Sequence, residues 1–119
     1  MVSWDYYVGF EREPEGLEAF LKSKGYQFFP VKRDTSIKSY ESEDETIDVT
    51  FFPFRIGVRN AGHPDWTESG LDIKSELMVS TKDSVAQEGA ERLSEEIARR
   101  YNAIIFDPQG DEYLRSEDL

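Results

Sequence analysis

Between Leu71 and Asp107 the hydrophobic pattern changes period. Leu71, Ile73, Leu77 and Val79 fall on one side of an alternating segment, with Ser75 among them, while Asp72, Lys74, Glu76 and Met78 fall on the other. That pattern predicts a strand with one buried face and one mostly wet face. Ala86, Ala90, Leu93, Ile97 and Tyr101 then recur at steps of three or four, the stripe of an amphipathic helix. Glu88–Arg92, Glu95–Arg99 and Glu96–Arg100 place an acid four residues before a base, the favourable order, worth roughly 0.2–0.5 kcal/mol per pair. Thr81 is the favoured cap, with Ser80 and Ser84 as alternatives, and Asn102 suits a left-handed stop. Gly89 lies beside Ala86 and Ala90, so this half of the helix is expected to approach the sheet closely. Ala103–Phe106 is a short apolar run that suits an interior strand.

Earlier in the chain, Ser3–Phe10 alternates, with Trp4, Tyr6, Val8 and Phe10 on one side and Tyr7 on the wetter one. Pro14 suits a first helical residue, Leu17, Phe20 and Leu21 give a buried spacing, and Gly25 ends a helix of about three turns. Tyr26–Lys32 reads as extended, and Pro30 places it at an edge or a strand end. Ser36–Ser42 and Thr46–Phe52 read as a hairpin around the acidic Glu43–Asp44–Glu45. A connection of two or four residues puts Tyr40 on the face of Ile47 and Val49, whereas three puts Ile37 there; the sequence leaves the register open. Arg55–Arg59 would add a short strand, and Asn60–Gly70 is turn chemistry. Pro108 and Gly110 follow the last apolar run, and an acidic tail over residues 108–119 is expected to fray.

Two strand–helix–strand units therefore flank a hairpin region. The expected fold is α+β, with two helices packed on one face of a largely antiparallel sheet of about five strands. The simplest arrangement is a ferredoxin-like plait with extra central strand material, an analogy of architecture that carries no function with it. Residues 1–107 form a single expected domain.

Composition narrows the functional classes. The 119 residues include 25 Asp+Glu against 14 Lys+Arg, a net charge of −11. Nucleic-acid binding and attachment to an anionic membrane both draw on basic side chains, so neither is expected. Cysteine is absent, which removes disulfides, thiolate metal sites and cysteine catalysis. The start, MVSWDYYVGF, lacks the basic and long apolar regions of a signal peptide, and no window approaches a membrane span. A cytoplasmic protein is expected.

Candidate chemistry is sparse. His63 is the single histidine, with Asp65 placed to orient it, but no nucleophile motif accompanies it. Arg55 and Arg59 would share one face of a strand and could hold a carboxylate or phosphate in bidentate fashion. Glu41, Glu43, Asp44, Glu45 and Asp48 cluster without an EF-hand pattern, and a solvated turn explains them better than a cation site. No metal and no cofactor are expected. The leading expectation is a small acidic protein-binding or regulatory module with a basic protein partner and no catalysis of its own. Tyr7 and Trp66 are its expected exposed contact residues; the competing reading is that both are buried, Trp66 especially, tucking its loop against the sheet. The alternative is a small-ligand (anion) binding protein or enzyme centred on Arg55, Arg59 and His63.

Overall fold

A computed structural model describes residues 3–30, 36–54 and 64–119. Along the chain run β1 (Trp4–Phe10), α1 (Leu17–Ser23), β2 (Gln27–Pro30), β3 (Lys38–Glu41), β4 (Ile47–Phe52), β5 (Ser75–Thr81), α2 (Gln87–Tyr101), β6 (Ile104–Asp107) and β7 (Glu112–Arg115). The strands form one antiparallel sheet in the order β2-β3-β4-β5-β1-β6-β7. The described residues thus hold seven strands where about five were expected. Part of the excess lies in the tail expected to fray: Glu112–Arg115 pairs along β6 as an edge strand.

Both helices cover one face. Leu17, Phe20 and Leu21 of α1 and Ala90, Leu93, Ile97 and Ala98 of α2 share a core with Tyr6, Val8, Phe10, Val49, Leu77, Val79 and Ile105. The residues flanking α1 meet α2 through Lys24–Glu96 at 2.7 Å and the Tyr101 hydroxyl, which donates to the Glu15 carbonyl at 2.9 Å. The period of three to four places the α2 stripe inward as expected, and Asn102 ends the helix in the left-handed region at φ 50°.

Several local expectations change. Asp83, not Thr81, receives the first free amide: its carboxylate accepts from Val85 N–H at 2.9 Å, at the head of a 3₁₀ turn (Ser84–Ala86) that leads into α2. The Thr81 hydroxyl instead donates to the Thr46 carbonyl at 2.6 Å, tying β5 to the hairpin. Helix α1 is shorter than expected. Gly16 at φ 76° stands at its N-cap, so Pro14 lies in the turn before the helix. The hairpin takes the even connection: Tyr40 faces Val49, Glu41 faces Asp48, and Ser42 N–H bonds the Ile47 carbonyl at 2.9 Å. Tyr40 therefore joins the core with Ile47 and Val49. Pro30 ends an edge strand, β2, as expected.

Gly89 is exposed and does not itself face the sheet, whereas its neighbour Ala90 is fully buried in the core. A Cβ there would make ordinary contact with Ile47 Cδ1 at 3.5 Å. Gly89→Ala is expected to stabilise the protein by about 1 kcal/mol through helix propensity. Urea denaturation of the two proteins checks this, and destabilisation by the methyl group would mean that the contact is already tight.

Candidate functional site

The second face of the sheet was expected to be mostly wet, and over β5, β1 and β6 it is covered instead. The alternation of β5 stops at Ser75. Ile73 and Leu71 belong to a loop that folds back under the sheet and packs with Trp66, Tyr7, Ile104, Met78, Phe106 and Tyr113. A 3₁₀ turn (Trp66–Ser69) positions the indole, with the Asp65 carboxylate accepting from Thr67 N–H at 3.1 Å. Gly9 makes room for the ring, since a Cβ at that position would lie 3.0 Å from two indole carbons. Trp66 is 1% exposed and Tyr7 3%, so the exposure expected of these two contact residues is not found. The physical reason is the loop itself, which spends its aromatic residue on closing the sheet.

Glu76, expected on a wet face, is fully buried and accepts the Trp66 indole N–H at 3.2 Å. Burial pushes the Tyr7 hydroxyl up to about 12, with Asp5 and Glu76 adding repulsion of the phenolate. Tyr26 is likewise raised to about 12, by burial and then by Asp44. Both phenols are held neutral in the folded state, so their contribution to stability is complete below the ordinary value of 10.0. It is lost as pH rises from there toward 12. Tyrosinate absorbance should show at least two late-titrating groups, coincident with alkaline unfolding. Ordinary titration of all six tyrosines would contradict the burial.

Arg55, Arg59 and His63 lie outside the described residues. Among the described residues no group of three or more His, Cys, Asp or Glu could hold a metal ion. No helix among them is long and apolar enough to cross a membrane.

A concave surface lies on the helix side, between α1 with the turn before it and strands β3 and β4. This groove of about 510 Å³ is lined by Pro14, Leu17, Tyr40, Phe51 and Pro53, with Glu13, Glu15 and Glu18 on its α1 side and Lys38 on the strand side. Phe51 is half-buried, and Phe28 at the outer edge is 46% exposed, its ring 5.7 Å from that of Tyr40. Burial raises the Tyr40 hydroxyl and the Glu18 carboxylate adds to the shift, which puts negative charge beside the groove floor. The sequence signal for this groove was the Pro14–Gly16 spacing, which breaks the helix that would otherwise extend over the strands.

Carboxylates crowd elsewhere on the surface. Glu41 is raised by partial desolvation and by Glu45 and Asp48 across the hairpin. Glu91 is raised by burial and then by Glu95, Asp107 and Glu88. Asp44 is different: Thr46 and Ser42 donate to it and lower its pKa, so this acid builds the turn. No protein-family model, curated protein or solved structure matches the chain.

Proposed function

We propose that this protein is a binding or regulatory module without catalysis of its own, which recognises a basic protein partner through its acidic surface. The observation that carries this reading is a set of carboxylates that enter no ion pair among the described residues. The ion pairs among the described residues are Lys22–Glu18, Lys24–Glu96, Lys74–Asp72 and Arg92–Glu88. None uses Glu13, Glu15, Glu41, Glu43, Glu45 or Asp48. Glu41 and Glu91 are raised in part by neighbouring carboxylates, the mark of a surface that a cationic partner would relieve.

The architecture is read as an enlarged ferredoxin-like plait. Setting aside β3, β4 and β7 leaves the order β2-β5-β1-β6, with each helix joining strands that are not neighbours. This supports the fold analogy and adds nothing to the function.

The test is association kinetics with a partner captured on the immobilised chain and then purified. Attraction between exposed charges is screened beyond about 8 Å at physiological ionic strength, so the association rate should fall steeply from low to high salt. Rates that ignore salt would overturn the reading. So would turnover of a small molecule by the chain alone.

A further inference from the structure

We propose that the groove between residues 13–19 and strands β3–β4 docks an extended partner segment in which arginine alternates with apolar side chains. This rests on the reading of the protein as an acidic binding module and names the surface and the chemistry. The groove combines two features that such a segment matches separately. Its floor is apolar and aromatic, formed by Leu17, Tyr40 and Phe51. Its α1 side carries three carboxylates, Glu13, Glu15 and Glu18, against one described base, Lys38.

Charge complementarity selects the occupant. Glu13 and Glu15 enter no ion pair among the described residues, and Glu18 meets only Lys22, in an exposed pair at 3.3 Å. An anionic ligand would face these carboxylates, and a purely apolar one would leave them unused while adding desolvation. Arginine suits both parts of the surface. Its guanidinium is weakly hydrated, forks onto carboxylates and stacks on aromatic faces, while its stem covers apolar surface. The size of the groove matters as well. About 510 Å³ takes a few side chains, which calls for a segment and not a whole domain face. The half-buried Phe51 and the exposed Phe28 extend the apolar strip toward edge strand β2, along which the segment's other side chains would lie.

The test is ¹⁵N NMR titration of the whole chain with the peptide Ac-Arg-Leu-Arg-Leu-Arg-amide at about 0.15 M salt. Amide shifts are expected at Gly16, Ala19, Tyr40 and Phe51. The peptide Ac-Arg-Gly-Arg-Gly-Arg-amide, of equal charge, is expected to bind about tenfold more weakly, since it lacks the apolar contacts. Glu13→Gln/Glu15→Gln should weaken the leucine peptide about tenfold, while Glu68→Gln/Glu112→Gln, which removes the same charge from exposed positions away from the groove, should leave it within about twofold.

Equal weakening by the two double variants, or equal affinity of the two peptides, would show diffuse attraction and overturn the groove assignment. So would shifts confined to the hairpin tip or α2, or no binding of either peptide. If the groove amides shift with protein concentration alone, the occupant is a second copy and the proposal fails. The broader reading is decided separately, by the salt dependence of the captured partner's association.

Discussion

Trp66→Ala is expected to destabilise the protein by about 3–5 kcal/mol, the usual range for truncating a large buried aromatic. The side chain fills the space above Gly9, packs edge-on against Tyr113 with centroids 6.0 Å apart, and donates its indole N–H to buried Glu76. Truncation therefore opens a cavity and removes a donor from a buried carboxylate at the same time. Trp66→Phe separates the two contributions, because it keeps much of the apolar volume and loses the N–H. A buried polar group that loses a hydrogen-bond donor costs about 1–3 kcal/mol, so the phenylalanine variant should also be destabilised. Urea denaturation of wild type and both variants provides the comparison. If alanine costs less than about 1 kcal/mol, the loop is not closing this face of the sheet and Trp66 returns as a candidate contact residue.

Leu93→Ala should cost about 2–5 kcal/mol. Leu93 is at the centre of the α2 stripe and packs in the same core as the sheet residues Val8, Val79 and Ile105. Its neighbours Ala90, Ile97 and Ala98 are fully buried, so the site has little freedom to collapse around a smaller side chain. Leu93→Met, which conserves volume, should cost less than about 1.5 kcal/mol. Equal, small losses for both variants would mean that α2 does not seat on the sheet by this face.

The reading of the sequence succeeded where one face of an element met one environment. Ala90, Leu93 and Ile97 lie at helical spacing against a continuous sheet, so their period alone located α2 and its buried side. Trp4, Tyr6, Val8 and Phe10 did the same for β1. Reading failed where burial came from residues distant in sequence. Tyr7, Glu76 and Met78 look like a wet face within their own strands. The segment that covers them, with Trp66 and Ile73, has the composition of a turn, and only its tryptophan offers a packing role as an alternative to exposure.

A second kind of failure was local. Pro14 is a good start for a helix, yet the left-handed Gly16 places the start beyond it, and residues 13–16 line the groove beside Tyr40 and Phe51. Glu13 and Glu15 gave no signal beyond general acidity, because their placement depends on that break. The hairpin register was undecidable from alternation alone, and hydrogen bonds of Ser42 and Asp44 around the turn fix it.

The position of β1 also bears on how the chain folds during synthesis. Its residues are made before those of its neighbours in the sheet, β5 (Ser75–Thr81) and β6 (Ile104–Asp107). Until those segments are made, β1 has two open edges and an apolar face carrying Tyr6, Val8 and Phe10. Only the β3–β4 hairpin and its neighbour β2 can pair locally in the meantime. The sheet therefore closes around β1 only once β5 and β6 have both been made, and a chain stalled before β5 presents an unpaired aromatic strand of the kind that recruits chaperones or aggregates.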